Sequence, residues 1–138
     1  MSVRIAQTDD IATCHALRRV VFVEEQGVSD AEEIDGLDSD CLHLLVKDGA
    51  TPVGTARILF DAGTAKIGRV CVLKSHRGRG LGAALIRAAM AASHGRAVRV
   101  KLGAQVSAIG FYEALGFVAF GPVYDDAGID HRDMARDL

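Results

Sequence analysis

The segment Val70–Gly82 limits the possible folds of this 138-residue chain more than any other part. A run of strand-forming residues leads into a loop with three alternate glycines, and a segment rich in alanine and leucine follows directly. Glycine permits positive φ and lets a ligand approach the backbone closely. The first turn of a helix presents unpaired N–H groups and the positive end of the macrodipole. A strand, a glycine-rich loop and a helix in this order predict a pyrophosphate site, to which Arg77 and Arg79 add charge.

Other interpretations of the glycine-rich loop explain the pattern less well. A tight turn with solvated arginines is the simplest alternative. A dinucleotide-binding fingerprint needs G-x-G-x-x-G near the first strand, whereas this loop lies mid-chain and is spaced G-x-G-x-G. A nucleoside-triphosphate loop needs G-K-[ST], which the sequence lacks. One R-G-R-G in a chain of net charge -2 is a poor basis for RNA binding.

Hydrophobic periodicity predicts a single domain, 1–138, of mixed α/β (α+β) class. The predicted helices follow the capping residues at 8–10 and cover 80–93 and 107–115, while 22–40 is irregular and acidic. The predicted strands are 3–6, 42–47, 53–60, 65–73, 98–102 and 117–120, with the tail 131–138 as one more. This order implies a mixed sheet with helices on its faces and a parallel connection through the helix after Gly80.

Composition excludes several classes of protein. The chain is 49% hydrophobic and 25% charged, which suits a folded domain with a real core. Its slightly acidic balance gives no general attraction to nucleic acid or to an anionic membrane. Three widely spaced cysteines without a C-x-x-C pair suggest neither disulfides nor a zinc site, so we expect no metal. A start without an apolar leader makes the cytoplasm the expected location.

Two motifs in this sequence resemble those of the GNAT superfamily of N-acetyltransferases. Arg77–Gly82, which reads R-G-R-G-L-G, matches the signature [QR]-x-x-G-x-[GA]. Gln105–Phe117 is similar to the element N-x-x-A-x-x-x-Y-x-x-x-G-F, with Gln105 where the family commonly has asparagine. The resemblance implies a mostly antiparallel central sheet flanked by helices on both faces.

Three further stretches resemble the YjcF-like or ElaA-like branch of that superfamily. They are Val21–Val28, Glu33–Asp38 followed by His43, and Gly128–Met134. The last is similar to the ending G-I-P-H-x-x-M of that branch, with Asp130 in place of proline. The resemblance extends over nearly the whole chain.

The resemblance implies acetyl-CoA as the cofactor and assigns a set of residues to it. The pantetheine arm would lie along the backbone of Val70 and Val72, and the Val72 N–H would point at the thioester oxygen. Main-chain N–H groups of the glycine-rich loop would hold the pyrophosphate. The predicted cofactor contacts are Val70, Cys71, Val72, Arg77, Gly78, Arg79, Gly80, Leu81, Gly82, Gln105, Phe111 and Tyr112.

Catalysis requires a proton donor for the leaving thiolate and a base for the amine. Tyr112 matches the usual donor of the family, and a free phenol pKa of about 10 keeps it protonated; packing within an aromatic helix face is the alternative. The base is open between Glu24, Glu25, His43 and His131, of which we assign Glu25 as catalytic beside Tyr112 and Val72. The acidic stretch favours a cationic substrate, with a solvated loop as the alternative. The predicted substrate-side residues are Glu24, Glu25, Asp35, His43 and His131.

The sequence therefore predicts an N-acetyltransferase that acts on a primary amine of a small molecule, peptide or protein, without nucleic acid or membrane partners. A non-catalytic acyl-CoA-binding or sensing module of the same fold is the alternative. Acyl-homoserine-lactone synthesis is a third reading, drawn from the similar fold and an R-x-x-V-F pattern near Val21. An exposed edge strand near the C-terminus could pair two subunits as a homodimer.

Overall fold

A computed structural model describes residues 2–138, which contain seven β-strands and four α-helices. The helices are α1 (Ile11–Arg18), α2 (Asp30–Glu33), α3 (Leu81–Ser93) and α4 (Ile109–Ala114). The strands are β1 (Val3–Thr8), β2 (Leu42–Asp48), β3 (Thr51–Asp61), β4 (Thr64–Val72), β5 (Arg99–Gln105), β6 (Val118–Asp126) and β7 (Ile129–Asp137). They form one sheet in the order β1-β2-β3-β4-β5-β7-β6. None of the helices described is long and apolar enough to cross a membrane.

The predicted mixed sheet is confirmed. β4 and β5 are parallel and are connected through α3, whereas the other neighbouring strands are antiparallel. Alternate residues of β2 point to opposite faces: Leu44 and Val46 pack in the main core with α3, and Leu45 packs with Leu17 of α1. Helices therefore cover both faces of the sheet, as the sequence predicts.

The acidic segment 22–40 is more regular than the sequence predicts. A π-helical turn, Arg19–Glu25, continues α1, and α2 and a 3-10 turn, Asp38–Asp40, follow. The hydroxyl of Ser29 caps α2 by accepting from the Glu32 N–H at 3.1 Å and donates to the Glu32 carboxylate at 2.9 Å. This side-chain cap supplies a helix start that the density of acidic residues concealed.

The C-terminal strands are also longer than expected. β6 continues to Asp126, although it contains Gly121 and Pro122. The register with β7 shifts there, between Phe120 and Tyr124. An edge strand tolerates proline and such an irregularity because one of its sides needs no partner strand. β6 is an edge strand of the sheet. Pairing of two subunits through it stays a prediction.

β4 and β5 pair over only a short length. Their parallel register runs from Thr64 opposite Arg99 to Lys66 opposite Lys101, and the two strands diverge beyond that point. A bulge in β4 accompanies the divergence, since the register with β3 places both Arg69 and Val70 opposite one residue. Arg69 has a φ of 52°, which is uncommon for a residue with a side chain. The sheet therefore opens on the C-terminal side of β4.

A buried cluster of charged side chains holds the acidic segment 22–40 against α1 and β3. Arg18, which is 1% exposed, pairs with Glu33 and lies 2.7 Å from an oxygen of Asp38. Arg57 pairs with Asp35 and donates to Asp38 at 3.1 Å. Each buried charge thus has an opposite partner, as burial requires.

The bulge is part of this charged cluster. The guanidinium of Arg69 donates to the main-chain carbonyls of Glu32 at 3.3 Å and Glu33 at 3.0 Å. It also donates to the Asp35 carboxylate at 3.3 Å. These contacts attach α2 to the strand that borders the opening.

The cluster lowers the pKa values of two of its carboxyl groups. Hydrogen bonds from Arg57 lower the pKa of Asp35 to about 2. Burial raises the pKa of Asp38, but hydrogen bonds from Arg18, His15 and Arg57 outweigh burial and hold that pKa well below its usual range. Both carboxylates therefore stabilise the fold more when ionised.

We expect Asp35→Asn to reduce the acid sensitivity of the fold. A carboxyl group whose folded pKa is depressed stabilises the protein above its unfolded pKa of about 4, and the contribution is lost as the pH falls toward the folded value. The unfolding free energy from urea denaturation should therefore fall less steeply between about pH 4 and pH 2 in the variant.

The exposed Glu113 of α4 offers a matched control, and Glu113→Gln should keep the acid dependence of the unmodified protein. An unchanged slope in Asp35→Asn would show that Arg57 does not hold this carboxylate in solution.

Candidate active site

A cleft of about 430 Å³ occupies the opening between β4 and β5. One wall is β4 and the opposite wall is β5 with Tyr112 of α4. The π-helical turn, α2 and the β6–β7 hairpin complete it. The lining residues used below are Val70, Gln26, Glu32, Arg69, Gly103, Gln105, Tyr112, Tyr124, Asp126 and His131.

The backbone of Val72 points toward the cleft side of β4. The Leu73 N–H donates to the Val53 carbonyl at 2.8 Å, which makes Gly54 and Val72 a non-hydrogen-bonded pair of the antiparallel ladder. The polar groups of Val72 therefore face away from β3, where β5 has diverged. This orientation is the one required for the predicted contact between the Val72 N–H and a thioester oxygen, which stays a prediction.

Cys71 lies on the other side of β4 from the cleft. Its side chain is buried in the cluster with Cys14 and Leu17, and burial raises the pKa of its thiol to about 12. In the ladder Cys71 pairs with Thr55, next to the non-hydrogen-bonded pair, so its backbone groups face β3. Nothing in this geometry brings Cys71 to the cleft, although the predicted cofactor contact itself is untested.

The glycine-rich loop has the geometry that the sequence predicts. Gly78 and Gly80 have φ values of 76° and 78°, and nothing lies within 4 Å of where a Cβ would be at either position. Gly80 is the N-cap of α3 and no side chain caps this end of the helix. The side chain of Leu81 is buried, so this residue presents only its backbone. Exposed Phe111 lies over Gly82, with its ring 3.6 Å from the Cβ position.

Arg77 folds back toward the end of β4. Its Nε donates to the Val72 carbonyl at 2.9 Å, and its two terminal nitrogens lie 2.9 and 3.0 Å from the two carboxylate oxygens of Glu25. This bidentate pair joins the loop to the π-helical turn. Glu25 is therefore charge-paired at the loop, and both its role as a base and the phosphate contact of Arg77 stay predictions.

Tyr112 is brought to the cleft by the short helix α4. Its ring packs edge-on against Phe111 at 5.0 Å and Phe117 at 5.8 Å between centroids. Burial raises the pKa of the Tyr112 phenol, so the hydroxyl keeps its proton at neutral pH. This is the state that a proton donor needs.

Gln105 ends β5 on the opposite wall from Val70. Its side-chain amide donates to the side-chain oxygen of Gln26 at 3.1 Å, so the two residues link β5 to the end of the π-helical turn. The predicted cofactor contact of Gln105 competes with this link.

The predicted substrate-side residues are dispersed. His131 lines the cleft, and Glu24 is exposed on the π-helical turn. Asp35 belongs to the charged cluster, while His43 is 4% exposed in β2, with Nε2 2.8 Å from the Asp38 carbonyl. Asp35 and His43 are held by structural contacts, and their substrate roles stay predictions. In residues 2–138 no group of three or more His, Cys, Asp or Glu side chains could hold a metal ion.

Sequence reasoning missed several residues of the cleft. Arg69 reaches it through the bulge, and Tyr124 and Asp126 through the part of β6 beyond Gly121. Glu32 and Glu33 belong to the acidic stretch that the sequence predicted as irregular, but they lie in the helix α2. One sequence signal could have predicted the β6–β7 hairpin. Tyr124 and His131 lie seven residues apart on either side of Ala127-Gly128, and a glycine-containing turn between two such segments is typical of a hairpin.

Comparison with known proteins agrees with this architecture. Residues 19–138 match the family model described as an acetyltransferase (GNAT) domain. YjcF of Bacillus subtilis, which is named as an uncharacterized N-acetyltransferase, is 42% identical over 123 residues, which cover 88% of each chain.

Solved structures extend the comparison. The crystal structure of Escherichia coli ElaA aligns with a TM-score of 0.85 and 31% identity, covering 97% of this chain and 99% of that one. An acyl-CoA N-acyltransferase from Pseudomonas aeruginosa aligns with a TM-score of 0.84 and 32% identity, covering 97% of both. With these matches over nearly its full length, the chain belongs to the GNAT family of acetyltransferases.

Proposed function

We propose that this protein transfers an acetyl group from acetyl-CoA to a primary amine. The main observation behind this proposal is the cleft between β4 and β5. The N-terminus of α3, which no side chain caps, follows the end of β4, and the acidic side chains of Glu32 and Asp126 line the cleft. The names of two relatives support the proposal, because YjcF is named as an uncharacterized N-acetyltransferase and the Pseudomonas aeruginosa protein as an acyl-CoA N-acyltransferase.

The residues at the α3 end fit the diphosphate of coenzyme A. Gly78 and Gly80 leave the backbone accessible, and the N–H groups of the first turn of α3 have no side-chain cap. Such a turn binds phosphate through its N–H groups and its dipole. The outward-facing backbone of Val72 then provides an N–H for the carbonyl oxygen of the acyl group.

The reaction needs few groups from the protein. Acetyl-CoA supplies an activated acyl carbon, to which the nitrogen lone pair bonds as the carbon–sulfur bond breaks and its electron pair leaves on sulfur. Tyr112 donates its phenolic proton to that sulfur and recovers one from the nitrogen. The Val72 N–H stabilises the negative charge that develops on the carbonyl oxygen.

The acceptor end of the cleft favours a cation. Glu32 and Asp126 contribute carboxylates from opposite sides, and the positive charge of Arg69 is offset by Glu33 and Asp35. Negative charge at the mouth of a cleft concentrates cationic substrates. An amine that is protonated in solution and carries no carboxylate fits this charge.

We expect acetyl-CoA binding to be lost in Gly82→Asp and kept in Gly82→Ala. An aspartate in the first turn accepts from the same N–H groups and repels phosphate, yet it stabilises the helix, so misfolding would not explain the loss. A Cβ at this position meets the Phe111 ring at an ordinary 3.6 Å.

Titration calorimetry should show at least about tenfold weaker binding for the aspartate variant. Equal affinity in both variants would mean that the α3 N-terminus does not hold the diphosphate.

We expect free thiol to be released from acetyl-CoA in the presence of an amine, with putrescine a better acceptor than glutamate. Tyr112→Phe should lower kcat by about 10²-fold or more, because it removes the proton donor and keeps the ring packing. Its affinity for acetyl-CoA should fall far less than its kcat, because the rest of the predicted cofactor contacts are kept.

An unchanged kcat in Tyr112→Phe would assign the donor elsewhere. Binding of acetyl-CoA without thiol release on any amine would instead favour a non-catalytic acyl-CoA-binding module.

A further inference from the structure

The two ring nitrogens of His131 have different surroundings. Nδ1 lies 2.8 Å from the main-chain carbonyl of Ile129. A carbonyl oxygen only accepts, so in the neutral ring Nδ1 carries the hydrogen and Nε2 carries the lone pair. His131 lines the cleft, on the side formed by the β6–β7 hairpin. The ring therefore has one nitrogen fixed by the backbone and a basic nitrogen on its far side.

Tyr124 fixes the plane of the His131 ring. The two rings stack with centroids 6.0 Å apart and planes 23° apart, and the residues are register partners in the β6–β7 pair. The Tyr124 hydroxyl donates to the Asp133 carboxylate at 2.8 Å. Space for that hydroxyl exists because β5 has Gly103 there, where a Cβ would collide with the oxygen.

The neighbouring strand places this histidine near the other reactive groups. His131 is the register partner of Gln105 at the end of β5, and α4 with Tyr112 begins four residues after Gln105. The cleft is about 430 Å³, and Tyr112, Val70 and His131 all line it. A small amine in the cleft thus reaches His131 from one side and the acyl site from the other.

We propose that His131 is the general base of the acetyl transfer and that Tyr124 is its positioning residue. This inference rests on the proposed function. The acceptor ammonium gives one proton to Nε2 of His131, which frees the lone pair that forms the carbon–nitrogen bond. His131 then releases that proton to water, so the ring returns to its starting state after each turnover.

Apart from Asp126, the carboxylates in and beside the cleft are held by hydrogen bonds or ion pairs. Glu33 is bound by Arg18 and Arg69, the Glu32 carboxylate accepts from Ser29, and Asp133 accepts from Tyr124 and lies 3.6 Å from Lys101. Glu25, the base assigned from the sequence, is paired in bidentate fashion with Arg77. Asp126 of the hairpin also lines the cleft and offers a matched control.

The test compares His131→Asn with Asp126→Asn in the thiol-release assay with putrescine. The asparagine amide can take the place of Nδ1–H toward the Ile129 carbonyl while it removes the basic nitrogen. We expect kcat/KM of His131→Asn to fall by about 10²-fold near neutral pH. The difference from the unmodified protein should become smaller at higher pH, because the amine substrate then loses its proton to the solvent and needs no base. Asp126→Asn, which removes a carboxylate from the acceptor end of the cleft, should raise KM for putrescine but keep the shape of the pH profile.

Two further readouts separate catalysis from folding. The affinity of His131→Asn for acetyl-CoA should equal that of the unmodified protein, and added imidazole should restore part of the activity of His131→Ala. Tyr124→Leu should lower kcat and shift the acid limb of the pH profile, whereas Tyr124→Phe, which keeps the stacked ring, should not shift it.

The inference is overturned if the unmodified protein is active and His131→Asn keeps both its kcat/KM and its pH profile; the proposed function would then stand. Absence of thiol release by the unmodified protein on every amine would overturn both. An unshifted acid limb in Tyr124→Leu would overturn the positioning role.

Discussion

The divergence of β4 from β5 is the constraint on which the rest of the structure depends. Parallel pairing ends at Lys66 and Lys101, and the bulge at Arg69 and Val70 bends β4 away from its neighbour. The bulge follows the last β4–β5 pair, and the cleft occupies the space where pairing has stopped. Backbone polar groups that face the opening need partners other than a neighbouring strand, and Arg77 supplies one to the Val72 carbonyl. A ligand with amide and carbonyl groups of its own can supply them.

The charged cluster connects this backbone geometry to the acidic segment. Arg69 adopts a positive φ, which costs about 1 kcal/mol or more for a residue with a side chain. Its guanidinium binds carbonyls of α2 and the carboxylate of Asp35, so those contacts offset the cost. The same bonds hold α2 beside the cleft. The acidic residues that the sequence offered as a substrate surface are therefore divided between structural ion pairs, such as Asp35 and Asp38, and cleft-lining residues, such as Glu32.

The sequence predicted those parts of the fold and site whose causes are local. Gly78 and Gly80 adopt positive φ and precede a helix, so the loop was visible in the residue pattern itself. The bulge at Arg69 left no such trace, because nothing in its side chain favours that conformation and only tertiary contacts stabilise it. Gly121-Pro122 interrupts the alternation of apolar and polar residues in β6, so the sequence did not predict the hairpin that contains Tyr124. Tyr112 was found through its motif, but the pairing of Glu25 with Arg77 joins residues far apart in the chain.

The short contact between β4 and β5 also divides the sheet into two parts. β1 to β4 form one antiparallel block, and β5, β7 and β6 form the other. Their backbones are joined by three register pairs and by the N–H groups of Val98 and Arg99, which donate to the Gly63 carbonyl at 2.8 and 3.4 Å. A molecule bound in the cleft touches both blocks and acts as a clamp across the seam. Its binding free energy then adds to the work needed to separate them, about 2.7 kcal/mol when the ligand is present at a hundredfold excess over its Kd. Binding of acetyl-CoA in the cleft would thus raise the thermal stability of the whole domain.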